Sequence, residues 1–367
     1  MKYLLLGLMC TLPLWLNAQE SKNADTISTT YNMSASEKEM TVADNNDTNV
    51  KLRFDVRMDG IYNTYAQQAD MPMNMSRSEY GFVGRYAKLV LFGNITDKLS
   101  YSFRYRINVP NSPSVQVFSS IDWMNLTYDI DDNFFVAGGK QMIYMGGWEY
   151  DVAPIDVHIG SLWWINTPLC FGFGVLGGWR SDNKKHSLYL QASNTHLEAE
   201  KFNKQFSYGL TWYGDMGIYK AIHSVNFLEY EPGKFINYIV LGNKFDFGDK
   251  YFYIDWMNRA GSTEKFFANY SIIAKYNQNI TDKLSFFAKG GYDQNLSQNV
   301  FTPQNQVYDR IILPGTKYVY YGLGAEYTPV VAKKHAVRLH AFWCANNNDY
   351  SPQTFNVGVK WQMNVLE

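Results

Sequence analysis

The chain has 367 residues but only three cysteines. Cys10 falls in an apolar leader, which leaves Cys170 and Cys344 as two unpaired strand residues rather than a disulfide framework. Net charge is also lacking. Lys and Arg number 33 against 34 Asp and Glu, so no nucleic acid or other bulk polyelectrolyte is implied as a partner. Past the leader no apolar run approaches the roughly 18 residues of a membrane helix, which excludes an α-helical membrane protein. H-E-x-x-H, C-x-x-C, G-x-S-x-G and Walker motifs are all missing, and the six histidines are scattered. The expectation is therefore no enzyme activity, no catalytic residue, no cofactor and no metal site. An ester hydrolase built from residues of separate strands stays open as an alternative. No internal linker divides the chain into domains.

What is present begins with that leader. Lys2, an apolar run over 3–16 and Asn17-Ala18 before Gln19 read as a secretory signal over 1–18. A lipoprotein is the alternative at Cys10, but Gly-Leu-Met-Cys is a poor lipobox. Residues 19–49 are Ser, Thr, Asn, Asp and Glu with few apolar anchors, which reads as a flexible periplasmic segment too short for a plug domain.

From Val50 the pattern changes. The chain is rich in Tyr (28), Phe (23) and Trp (10), yet its mean hydropathy is −0.31. Leu52, Phe54, Val56 and Met58 alternate with Lys51, Arg53, Asp55, Arg57 and Asp59. Near the end Phe355, Val357, Val359 and Trp361 alternate with Asn356, Gly358 and Lys360. This is the period of a strand with one apolar and one wet face. Sixteen such strands can be counted between 50 and 366, many longer than the soluble mean. The runs near 79–95 and 220–231 alternate badly, with Arg85 and Lys88 on opposite faces, which suggests a bulge. Every second connection is short, and most of the others are long, at 67–78, 109–117, 146–169, 197–205 and 296–316. The expected fold is all-β: a transmembrane antiparallel up-and-down barrel over 50–367, in the outer membrane of a bacterial cell and in contact with its lipid. Sixteen strands leave an aqueous lumen.

Two local motifs fit this frame. Asn-Ile-Thr-Asp-Lys-Leu-Ser occurs at 94–100 and again at 279–285, each time between two strand-like runs, so both copies read as hairpin turns on the short-turn rim. Gly172, Gly174 and Gly177 have the G-x-G-x-x-G spacing of a dinucleotide site, but a turn follows them where that site needs a helix.

Alternation places Lys51, Arg53, Arg57, Arg104, Arg106, Lys140, Lys244, Arg259, Lys275, Lys289, Arg338 and Lys360 inside. Asp55, Asp59, Asp129, Asp246, Asp255, Asp293 and Glu326 accompany them. The excess of basic groups predicts a lumen that concentrates small anions, and the arginine fork suits phosphate oxygens. The anion-binding candidates are Arg53, Arg57, Arg104, Arg106, Lys140, Arg259, Lys275, Lys289, Arg338 and Lys360. A mixed-charge lumen without selectivity is the competing reading, and a surface adhesin or structural antigen is another. The aromatic loop over 146–169 is expected to fold into the barrel and narrow it, against the alternative of an outer rim packed on other loops or a partner.

The chain resembles the phosphate-selective porin O and P family of Bacteroidetes-type outer membranes. The resemblance rests on GFVGRYAKLVLFGNITDKLSYSFRYRIN, on DWMNLTYDIDDNFFVAGGKQ and on the following MGGWE. It implies a sixteen-stranded channel for anions or small solutes, a homotrimer, and Lys140 as a lumen residue. The chain departs from bacterial barrels in ending Val-Leu-Glu rather than in an aromatic residue, and the family's arginine ladder has no local motif to match here. The combined expectation is passive diffusion of small anionic solutes such as phosphate. The natural solute is not legible.

Overall fold

In the computed structural model the described residues are 50–64, 79–107, 120–166, 170–195, 204–261, 265–298, 311–332, 335–347 and 353–366. Residues 1–49, read above as signal and periplasmic segment, lie outside them. No described helix is long and apolar enough to cross a membrane.

Sixteen strands form one closed antiparallel barrel. They are β1 (Val50–Thr64), β2 (Glu79–Asn94), β3 (Leu99–Arg106), β4 (Ile121–Asp129), β5 (Phe134–Met142), β6 (Phe171–Arg180), β7 (His186–Asn194), β8 (Phe206–Met216), β9 (Tyr219–Glu231), β10 (Lys234–Asp246), β11 (Lys250–Gly261), β12 (Asn269–Asn279), β13 (Leu284–Asn295), β14 (Lys317–Ala332), β15 (His335–Asn346) and β16 (Gln353–Leu366). Each strand pairs with its sequence neighbours, and β1 closes on β16 with Arg57 opposite Lys360. Closure removes the edges that an open sheet would expose. The sixteen strands counted from alternation are all present, and the two irregular runs near 79–95 and 220–231 are β2 and β9.

The alternation works as a sorting device. Met58, Leu126, Val136, Val175, Leu190, Leu323 and Val357 are exposed on the outer face. Asp55, Arg57, Thr211, Asp255, Ser271 and Lys360 are buried on the inner one. An apolar outside and a polar inside are what lipid and an aqueous lumen each require.

Both copies of the repeated heptapeptide make the same turn. The amides of Ile95 and Thr96 donate to the Leu99 carbonyl at 2.7 and 3.1 Å, while those of Ile280 and Thr281 donate to that of Leu284 at 2.8 and 3.2 Å. In each copy the threonine hydroxyl accepts from the leucine amide at 3.0 Å. Asp131 performs the same task after β4, accepting from the amides of Asn133 and Phe134 at 2.8 Å. The sequence repeats because the rim repeats, and the side-chain oxygen satisfies amides the ladder leaves over.

Five register shifts interrupt the ladders of the described strands, and three of them bear on the lumen. Arg57 pairs with Tyr86 and Met58 with Gly84, so the register skips Arg85 in β2. Arg104 pairs with Trp123 and Tyr105 with Ile121, which leaves Asp122 unpaired in β4. Tyr230 is skipped in the same way in β9. The bulge inferred near Arg85 and Lys88 is present, and the one at Asp122 is an addition to the sequence reading. A bulge re-aims the side chain that it frees.

Residues 143–166 turn inward after β5. They contain helices α1 (Trp148–Asp151) and α2 (Leu162–Asn166), with a short 3₁₀ turn at Pro154–Asp156 between them. Cys170 and Cys344 are free thiols, as expected.

Candidate functional site

The inner loop is bonded to the lumen face along most of the circumference. Close approach comes first. A Cβ on Gly146 would lie 2.7 Å from the Ile222 carbonyl oxygen, and one on Gly242 would lie 2.7 Å from the Gly147 Cα. Gly147 also has a φ of +95°, in the region that favours glycine. The Gly-Gly-Trp-Glu stretch is thus the point where the loop backbone crosses onto the wall at β9 and β10. Its amides are then capped by wall side chains. Gly146 donates to Ser224 Oγ at 2.7 Å, and Trp148 and Glu149 donate to the two oxygens of Asp255 at 2.9 and 2.8 Å. Leu162 donates to Asp293 Oδ2 at 2.8 Å. The Trp163 indole, 0% exposed, donates to the Gln294 carbonyl at 3.0 Å. Replacing Gly242 by valine should push Gly147 off the wall and raise single-channel conductance in a planar bilayer. An unchanged conductance would show that the loop tolerates the added bulk in place.

This docking explains the poor alternation of β9. Leu228 of β9, Ile236, Tyr238 and Val240 of β10, and Met257 of β11 cluster with Ile143, Met145 and Trp163 of the loop, all buried. The inner face is apolar there because it meets loop, not water.

Charge holds the far end of the loop. Arg57 clamps Asp59 with Nε and Nη2, each at 2.9 Å, and its Nη1 donates to the carbonyls of Ile155 and Val157 at 3.0 and 2.8 Å. Arg338 Nη1 donates to Asp156 Oδ1 at 2.6 Å and to Glu326 Oε1 at 3.0 Å. Lys360 Nζ donates to Asp156 Oδ1 at 3.0 Å and to Glu326 Oε2 at 2.5 Å. Lys289 is paired with Glu149 and also donates to the Ile159 carbonyl. Burial alone would raise the Asp156 carboxyl, but Arg338 and Lys360 outweigh it and hold the group below the ordinary aspartate value. Burial, then the charges of Lys360 and Arg57, push His158 well below the ordinary histidine value, so its ring sits neutral in the dock. That ring stacks on Phe287 at 4.7 Å.

A second group of charges lines β1 to β4 away from the dock. Asp122 accepts a hydrogen bond from Arg104 Nε at 2.7 Å and forms ion pairs with Arg106 Nε at 2.6 Å and Lys88 Nζ at 3.7 Å. Three cations thus share one carboxylate. Arg53 pairs with Asp55 at 3.0 Å on the adjacent strand. Arg104 is pinned flat, its guanidinium 3.6 Å from the Trp123 ring centroid, while the Trp123 indole donates to Ser102 Oγ at 2.7 Å. Arg104 Nε donates the hydrogen bond to Asp122 Oδ2. The Arg106 side chain is 37% exposed and that of Arg85 49%. Arg85 reaches Asp59 at 3.5 Å.

The ten candidate residues therefore divide. Arg53, Arg104 and Arg106 gather on the β1–β4 wall. Arg57, Lys289, Arg338 and Lys360 are engaged by the loop. Arg259 lies over the Trp163 ring at 4.4 Å, buried beneath the loop. Lys275 lies 5.5 Å from the Phe287 ring centroid and borders a cavity of about 10 Å³ that Glu149, Asp156 and His158 also line. Lys140, itself buried, pairs with Met124 and Phe173, and its ammonium lies 5.9 Å from the Phe173 ring centroid. The positive φ of Gly139 just before it disturbs the strand there. Sequence reasoning did not find Asp122, Arg85 and Lys88 as lumen groups, nor the loop acids Glu149 and Asp156.

A closed sixteen-stranded barrel with an apolar exterior, a charged interior and a loop folded into the lumen is an outer-membrane channel of the porin class. Over residues 50–217 the chain matches the family model described as phosphate-selective porin O and P, which bears out the resemblance read from the sequence. An anion-selective porin from Comamonas acidovorans has the same fold, at a TM-score of 0.56 and 10% identity over 86% of this chain and 99% of that one. Salmonella typhi OmpF, solved with daunomycin, gives 0.56 and 14% over 86% and 98%. OmpT of Vibrio cholerae in a trimer form gives 0.51 and 11% over 86% and 98%. At such identities these structures share the fold alone. No match was found among curated proteins.

Proposed function

We propose that this channel passes small anionic solutes, phosphate among them, by passive diffusion along the β1–β4 wall. The observation that carries the reading is the convergence of Lys88, Arg104 and Arg106 on the single carboxylate of Asp122. Such a group keeps a net positive charge after its internal pairing, and a low-dielectric wall focuses that field into the lumen. Arg104 is held by its Nε bond and by Trp123, so its charge is fixed in place without further ordering. The dock cations neutralise loop acids and contribute less, which makes Arg53, Arg104 and Arg106, with Lys88, the contacts assigned to the solute. The family description and the anion-selective porin of the same fold support this reading. The trimer form of the Vibrio cholerae porin supports a homotrimer.

Inorganic phosphate added to a chloride-bathed channel should lower the single-channel current. Arg104→Ala combined with Arg106→Ala should remove most of that effect. A wild-type current indifferent to phosphate would leave a channel without this site.

A further inference from the structure

On the opposite side of the barrel from β1–β4, the inner face of β8–β11 has a different character. Tyr213 of β8, Tyr251 of β11 and Trp164 of the loop all pack on one buried base that includes Trp148, Ile222 and Tyr253. The base fixes the rings, and Tyr251 lies stacked on Tyr253 with 9° between their planes. A seam that only held the loop would close over its aromatic groups, as the cluster round Trp163 does. Tyr213 and Tyr251 instead stay half-buried, on the inward parity of Thr211 and Asp255.

Beside these tyrosines, toward the short-turn rim, the wall is charged. Asp215 stands opposite Lys220, and Lys220 opposite Lys244. Lys220 Nζ lies 3.7 Å from Asp215 and 3.5 Å from Asp246, while Lys244 Nζ lies 3.2 Å from Asp246. Two acids and two bases alternate and sum to zero. Unlike the group round Asp122, this row has no net field with which to draw an ion. It offers closely spaced donors and acceptors, and the side chains of Asp215 and Lys220 are 42% and 30% exposed. Lys244 also lies 4.4 Å from the Tyr251 ring centroid, which ties the row to the aromatic base.

A solute that matches both rows needs an apolar face and a rim of neutral polar groups. A pyranose ring has both. Its C–H groups meet an aromatic face, and each hydroxyl donates and accepts at once. We propose that the inner face of β8–β11, on the short-turn side of the loop, is a contact site for neutral oligosaccharides: Tyr213 and Tyr251 take the pyranose faces, and Asp215, Lys220 and Asp246 take the hydroxyls. β8 and β11 are three strand spacings apart, about 14 Å. One sugar ring cannot bridge that span, and a short oligosaccharide can. The site goes beyond the anion reading and uses none of its residues.

Calorimetric titration of the full-length protein, in a detergent without a sugar headgroup, tests it with maltotriose and with cellotriose. At least one should bind, and glucose should bind more weakly by roughly tenfold or more, since it reaches one tyrosine only. No binding of either trisaccharide overturns the proposal. Tyr251→Ala should weaken binding about tenfold, the worth of one stacked ring, and Tyr251→Phe should keep most of it. Affinity unchanged in Tyr251→Ala overturns the proposal. Asp215→Ala, at an exposed side chain, gives the same test without touching the aromatic base: binding should weaken, and unchanged binding removes the polar row from the site and overturns the proposal as stated. Arg104→Ala combined with Arg106→Ala should leave trisaccharide affinity unchanged, whereas its loss there would move the site to the β1–β4 wall. Because the probes are uncharged, a channel indifferent to phosphate would refute the proposed function without deciding this point.

Discussion

Replacing Arg338 by alanine is expected to lower the stability of the folded barrel by about 3–5 kcal/mol, the usual effect of removing one partner from a buried ion-pair network. Arg338 is nearly fully buried and donates to Asp156, Glu326 and Gln362. Without it Lys360 alone faces two carboxylates, and all three groups stay far from water. The loop has one way to relieve this, which is to withdraw Asp156. A second readout should therefore move with the first: single-channel conductance should rise as the narrowing element leaves the wall. Chemical denaturation in detergent and planar-bilayer recording check the two effects. A loss below about 1 kcal/mol, the range of an exposed pair, would mean that the dock is solvated and holds little.

The second large effect concerns charge in the open part of the lumen. Arg85→Glu combined with Arg106→Glu should reverse the sign of the reversal potential under a salt gradient. These two are chosen because their side chains are 49% and 37% exposed, so the reversal burdens folding little. Asp122 keeps Arg104 and Lys88 as partners, and the buried carboxylate is not left bare. The field in the lumen nevertheless changes sign where the wall is most accessible. A reversal potential equal to that of the unsubstituted channel would place the selectivity determinant elsewhere.

How far the sequence shows this depends on which face a residue meets. Period-two alternation gave all sixteen strands, because lipid outside and water inside impose opposite demands on neighbouring residues. Arg53, Arg57, Arg338 and Lys360 were legible as inward for that reason. Asp122 was not. It lies on the same parity as the outward Met124 and Leu126, and only the bulge brings it inside. Arg85 and Lys88 conflicted in the sequence for the same cause, since a single skipped residue reverses the faces beyond it. The apolar inner face of β10 was invisible as such, because alternation reports on water and that face meets the loop. The partners of the wall cations were hidden as well. Glu149 and Asp156 lie in a segment without strand periodicity, and nothing local relates Asp156 to residues 182 and 204 positions away. The aromatic content of 146–169 did carry one signal, that the segment was too apolar for open water, and the structure shows it packed inside the barrel.

The most direct test of the account is the reversal potential of the unsubstituted channel in a planar bilayer under a potassium chloride gradient. The cationic wall predicts preference for chloride, and that preference should weaken as ionic strength rises and screens the wall. A channel that conducts freely with no preference, or that favours potassium, would contradict the claim that Lys88, Arg104 and Arg106 set what passes.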